Sequence, residues 1–160
     1  MDITSLSDLQ LLARLALAVL LGALIGMERE LSRKHAGMRT YALVSLGASL
    51  FTILSEVTYK HFLNTYGGAL SYDPVRMISQ IVVGVGFLGA GMVIFHQKKI
   101  LGLTSAAGIW VSAAVGATVG VGAYFLAIFA TILALFILTV MRRFEDWIKW
   151  RNNKEINGDN

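Results

Sequence analysis

Of the chain's 160 residues, 56% are hydrophobic and only 15% charged, with a net charge of +4, whereas ordinary soluble domains carry nearer a quarter charged residues. The absence of cysteine excludes disulfide staples, iron–sulfur clusters and zinc–thiolate sites. The basic residues flank apolar runs, so the positive-inside bias of membrane proteins explains them better than nucleic-acid binding does.

The N-terminus is acidic (Asp2, Asp8) and lacks the basic opening of a cleaved signal peptide. Leu9–Met27 is therefore a retained first span, close to the roughly 20 residues that cross a bilayer. It carries the small-xxx-small pair Gly22 and Gly26. It also holds Arg14, expected one or two turns inside and snorkelling outward. The loop MERELSRKHAGMRT follows, then a second span, Tyr41–Tyr59. Arg39 is followed at once by an apolar run, which would draw it against the bundle as a partner for Glu28; the other reading is an interfacial charge cluster that sets topology.

Next comes SYDPVRMISQ. Asp73 before Pro74 is a natural helix start, a carboxylate N-cap with proline at the first helical position. Asp73, Arg76 and Gln80 are three and four residues apart and share a face that continues to Gly84. That polar track either enters the bundle as an ion or solute pathway or supplies hydrogen bonds between helices. The third span, Met77–Phe95, concentrates Gly84, Gly86, Gly89 and Gly91. Such crowding implies close backbone packing or a broken helix lining a cavity. GVGFLG at 84–89 matches the dinucleotide pattern G-x-G-x-x-G, but inside a span, outside any strand–turn–helix unit, it carries no such meaning.

Leu103–Val119 and Gly122–Met141 form one stretch without a formal charge. It is too long for one span, so it should fold back near Gly116, Gly120 and Gly122; a single long tilted helix is the alternative. Gly108, Ser112, Gly116 and Gly120 make a smooth stripe on the fourth span. Thr104 and Ser105 carry little signal, because hydroxyls back-bond to helix carbonyls. Residues 1–141 thus read as a transmembrane domain and 142–160 as a short basic tail, with no second domain expected. Phe144, Trp147, Ile148 and Arg151 share a helical face suited to the membrane interface, Trp147 and Trp150 fit an aromatic belt, and the end beyond Asn152 should fray.

The fold class is all-α, a polytopic bundle of about five spans. Arg29, Arg33, Lys34, Arg39, Lys98, Lys99 and the tail's basic residues lie on one side, against Lys60 and Arg76 on the other. That bias puts the N-terminus outside and the C-terminus in the cytoplasm. His35, His61 and His96 are scattered over three loops; no metal site, cofactor or catalytic nucleophile–base pair is expected.

Four blocks carry a family resemblance: GALIGMERE (22–30), AGMRTYALVSLGASLF (36–51), DPVRMISQIVVGVGFLGAGMVI (73–94) and GLTSAAGIWVSAAVGATVG (102–120). In this order and spacing they resemble the MgtC/SapB family of bacterial inner-membrane proteins over roughly residues 15 to 125. The resemblance implies a five-span domain linked to magnesium homeostasis, growth in low magnesium and, in pathogens, survival inside host cells. It implies regulation of other membrane proteins, including inhibition of the proton-driven ATP synthase, rather than pumping. The positions matching family motifs are Glu28, Arg29, Arg39, Thr40, Asp73, Arg76, Gln80 and Trp110. Some members have asparagine where this chain has Thr104, and many carry a cytoplasmic regulatory domain not expected here.

Two functions follow. One is a membrane regulator that binds partner proteins through small-residue helix faces, above all the Gly108–Gly120 stripe. The other is a cation transporter or channel using the Asp73–Arg76–Gln80 track and Glu28–Arg39, with a homodimer enclosing what five short helices alone do not.

Overall fold

A computed structural model describes residues 8–66, 73–96, 99–144, 147, 148 and 151. The elements in chain order are α1 (Asp8–Leu31), α2 (Met38–Tyr66), α3 (Pro74–Met92), a hairpin of β1 (Ile94–His96) and β2 (Lys99–Leu101), α4 (Leu103–Gly120) and α5 (Tyr124–Phe136). A π-helical turn, Ile137–Met141, extends α5. Five helices are long and apolar enough to cross a membrane. Trp150, Lys98, Lys149, Lys154 and the tail beyond Asn152 lie outside the described residues.

Large apolar side chains cover the outside of the bundle. On α5, Phe125 is 85% exposed, and Leu126, Phe129, Ile132 and Phe136 point outward with it. Such a surface is tolerated in hydrocarbon, where helices satisfy their own amides and exposed apolar groups cost nothing. The interior is the inverse. Among α1, α2 and α4 it holds Ala18, Ile25, Ile109, Val115 and Val119 together with Tyr41, Ser45, Ser49 and Ser112. α2 lies along both α1 and α4, α5 packs on α4 and α1, and α3 packs mainly on α4 and α2.

Helix ends follow local chemistry. α1 ends in a Schellman motif: the Lys34 amide donates to the Arg29 carbonyl (3.0 Å) and the Arg33 amide to that of Glu30 (2.9 Å). Arg33 occupies the left-handed position with φ 54°. The same motif ends α4, with Gly122 at φ 86° and the Ala123 amide donating to the Thr118 carbonyl at 3.1 Å. The glycine permits that conformation and turns the chain into α5. The long uncharged stretch is therefore two helices joined by a turn, not one.

Several span boundaries shift, α1 running four residues beyond Met27 to Leu31. α2 begins three residues earlier than Tyr41 and runs seven beyond Tyr59. α3 starts at Pro74 because Asp73 caps it, its carboxylate accepting from the Val75 amide at 2.9 Å. It stops at Met92 rather than Phe95, where the chain turns into the hairpin, with Ile94 opposite Leu101. The β-branched run Val93-Ile94 favours extended backbone.

Candidate functional site

The buried face of α1 reads Arg14, Ala18, Leu21, Gly22, Ile25, Gly26, Arg29. An arginine thus stands at each end of a small and apolar stripe, about 22 Å apart at helical rise. Each arginine anchors a polar cluster, one at either end of the bundle.

At the first end Arg14 is 8% exposed. Its Nε donates to the Tyr124 hydroxyl (3.0 Å), and one terminal nitrogen donates to Glu56 Oε2 (3.1 Å) and to the Gly120 carbonyl (2.8 Å). Gly120 closes α4, so its carbonyl is one of the helix's orphan acceptors and sits at the negative end of the dipole. Glu56 also accepts from Lys60 at 2.7 Å, one turn along α2. One guanidinium therefore joins α1, α2, the end of α4 and the start of α5. This corrects the snorkelling expected for Arg14: it turns inward, because a carboxylate, a helix-end carbonyl and a phenol lie within its reach. Tyr124 and Glu56 were not candidates in the sequence, and the legible signal was a charge on the small-residue face of a span.

At the other end Glu28 pairs with Arg29, accepts from the Ser32 hydroxyl (2.8 Å) and lies 3.7 Å from Arg142. Arg142 also donates to Ser32. These contacts put the first loop and the end of the fifth span on the same side of the bundle. The expected Glu28–Arg39 pair is absent, which is a second correction. Tyr41 is the inward residue of α2 and is fully buried. Arg39, two positions earlier and about 200° round the helix, therefore faces out. It lines a polar pocket with Lys34, His35 and Thr40.

Between the two clusters runs a buried polar column on α2. The Tyr41 hydroxyl donates to the Ser105 carbonyl (3.0 Å), Ser112 Oγ to the Tyr41 carbonyl (2.9 Å), and Ser45 Oγ to the Ala18 carbonyl (2.7 Å). Thr52 back-bonds to Ala48, and Ser49 Oγ is buried without a hydrogen-bond partner. The recurrence of serine and threonine at 45, 49 and 52 was the overlooked sequence signal.

The small-residue stripes close on this column. A Cβ at Gly108 would approach the Tyr41 hydroxyl to 2.5 Å, one at Gly116 would strike the Ser45 carbonyl, and one at Gly120 would come within 2.7 Å of Thr52. Gly22 and Gly26 meet Ser45 and Met38 in the same way, at 2.6 and 2.7 Å. The α4 stripe is thus occupied by the chain's own α2 and is not free for a partner, contrary to the sequence expectation. The glycines of α3 behave differently. The helix is continuous; Gly84, Gly86 and Gly91 have nothing within 4 Å, and Gly89 makes only ordinary contact with Ala106. Close packing within the chain is not their role.

The remaining candidates stay apart from the clusters. Asp73, Arg76 and Gln80 are exposed, so the track does not enter the bundle; Gln80 and Gly84 instead line a groove between α2 and α3. Thr104 is exposed. Trp110 is 49% exposed and faces the gap between α3 and α4. Among the described residues no three histidine, aspartate or glutamate side chains gather as a metal site.

The sequence model of the MgtC family matches residues 15–147, which take in most of the first span and all of the other four. The chain belongs to the MgtC family. MgtC of Salmonella typhimurium (strain LT2) is 42% identical over 118 residues, 74% of this chain and 46% of that protein. YhiD of Escherichia coli (strain K12), whose name provisionally calls it a magnesium transporter, is 40% identical over 134 residues, 84% of this chain and 61% of YhiD. SapB of Bacillus subtilis (strain 168) is 37% identical over 131 residues, 81% of this chain and 55% of SapB. The chain spans between about half and three fifths of these relatives' lengths. No solved structure matches it. In this MgtC-family chain the match begins one residue after Arg14 and includes Glu56, Gly120 and Tyr124.

Proposed function

We propose that this MgtC-family chain is a bacterial inner-membrane protein of magnesium homeostasis that acts as a regulator of other membrane proteins. Magnesium enters through the family and through the name of YhiD. The N-terminus lies outside and the first loop and tail in the cytoplasm, by the distribution of lysine and arginine. The observation that supports a regulator is the state of α3. Val85 is the sole buried residue among its described side chains, while Val83 (66% exposed), Gly86 and Phe87 (82% exposed) form an outward face. A helix left so bare beside a tightly packed trio presents small and aromatic residues to another span. The trio itself is filled by buried side chains.

The test has two arms. In a strain lacking the protein, growth in low magnesium is compared for the parent sequence, Gly86→Leu and Phe87→Ala, and partners are recovered by crosslinking from an α3 position. The ATP synthase is the first partner to probe. Separately, purified protein in liposomes is assayed for magnesium entry with an indicator dye. The regulator reading expects silent liposomes, and growth and crosslinks lost together in the α3 variants. The second reading, a cation pathway, draws on the exposed Gln80 and Gly84 of α3, which an oligomer would enclose. Magnesium flux abolished by Gln80→Leu would establish that reading and end the first.

A further inference from the structure

Two depressions meet on the outer face of α2. The first is the apolar groove between α2 and α3, about 550 Å³, walled by Leu43, Gly47 and Phe51 on one side and Gln80, Gly84 and Leu88 on the other. The second is the polar pocket beside the first loop, about 410 Å³, lined by Lys34, His35, Arg39 and Thr40 with Glu30. Leu43 lines both, so the two adjoin along the outer face of the helix as one open channel.

Its chemistry changes from end to end. At the loop end, Lys34, His35 and Arg39 are exposed, and none of their side chains has a hydrogen bond or ion pair among the described residues. The acid beside them is engaged: Glu30 Oε2 accepts from the Met38 amide at 2.9 Å, at the start of α2. The pocket is therefore net cationic with its donors free. Beyond Leu43 the walls are almost wholly hydrocarbon. Gly47 and Gly84, one on each wall, have nothing within 4 Å, and the missing side chains leave the channel wide. From Arg39 to Phe51 the channel runs about 18 Å at helical rise, comparable with half of a ~30 Å hydrocarbon core.

We infer that this channel is a binding site for one anionic phospholipid of the leaflet on the first-loop side. The phosphate sits among Lys34, His35, Arg39 and the Thr40 hydroxyl, and an acyl chain lies between Gly47 and Gly84. A basic pocket opening onto an interhelical groove at headgroup depth is the arrangement that retains such lipids. An apolar helix of a partner or of a second copy would fill the groove but leave the cationic and imidazole groups at its mouth unmatched, so the charge favours the lipid. This inference goes beyond the regulator reading and competes with the cation-pathway reading, which would use the same Gln80 and Gly84 wall.

The experiment is native mass spectrometry of the purified full chain in detergent, titrated with phosphatidylglycerol or, in parallel, phosphatidylcholine of the same acyl composition. Three variants accompany the parent: the double variant Lys34→Ala/Arg39→Ala, Gly47→Leu and Gly84→Leu. Thermal unfolding of each checks folding, and none of the altered positions belongs to the buried core. One phosphatidylglycerol should be retained in preference to phosphatidylcholine. Retention should fall about five-fold for each basic residue removed, and it should be lost in both leucine variants with unfolding temperatures unchanged. Equal retention of the two lipids would overturn the site, as would unchanged retention in all variants, which would leave Lys34 and Arg39 as simple topology charges. Leucine variants that dissolve a dimer while leaving lipid binding intact would assign the groove to a second copy instead. Should one leucine variant fail to fold, the other and the double variant decide the matter.

Discussion

Arg14→Met tests the central claim about how the bundle is joined. Methionine keeps much of the side-chain length and removes all the donors. Glu56 then keeps only Lys60, while the Gly120 carbonyl and the Tyr124 hydroxyl lose theirs. Removing one partner of a fully buried ion pair costs about 3–5 kcal/mol, whereas exposed pairs contribute about 0–1 kcal/mol. Here the arginine side chain is 9% exposed and the glutamate 33%. The carboxylate is not stranded, so the expected loss is about 2–3 kcal/mol, hydrogen bonds included. For a chain of this size that corresponds to a fall of about 5–10 °C in Tm. Thermal unfolding in detergent, followed by loss of the monodisperse chromatographic peak, measures it. Arg14→Lys should recover only part, since an ammonium cannot reproduce a planar fork reaching three acceptors on different helices. A double-mutant cycle with Glu56→Gln should return a coupling of about 1–2 kcal/mol. If Arg14→Met unfolds with the parent and the coupling is nil, the guanidinium reaches water as a snorkelling residue would, and the network is wrong.

Three further outcomes follow from single positions. Gly116→Ala places a methyl against the Ser45 carbonyl on the facing backbone and should cost about 1–3 kcal/mol or more by overpacking, whereas Gly86→Ala, with open space around it, should change the unfolding temperature little. Ser49→Ala removes a buried hydroxyl that has no partner, and should be neutral or stabilise by up to about 1 kcal/mol; a marked loss would show that the hydroxyl is bonded. Arg33→Gly relieves a left-handed backbone (φ 54°) at the end of α1, and should raise stability by about 0.5–1 kcal/mol in the same unfolding assay.

Much of the architecture was legible because it is written in local sums. Hydropathy over about twenty residues marks a span wherever the chain goes, which is why five were readable in order. Asp73-Pro74 marks a helix start through groups two residues apart. Glycine at 122 marks the turn through a conformation that other residues resist. The candidate sites were less legible, and the misses have a common cause. Hydropathy and spacing show which residues share a helix face, but not whether that face turns toward the bundle or away from it. Asp73, Arg76 and Gln80 were expected on a face entering the bundle, yet all three are exposed. The α4 glycines were offered to a partner and instead receive α2.

The sequence by itself determined a bundle of five membrane-spanning helices, because each apolar run and each turn is specified by neighbours in the chain. Only the tertiary structure decided that Arg14 faces inward, that Glu28 is held by Arg29 and Arg142 rather than Arg39, and that α3 is left bare. Arg14 meets groups 42, 106 and 110 positions away. Such contacts depend on how each helix is rotated about its axis, and that rotation is fixed by the packing of all the others.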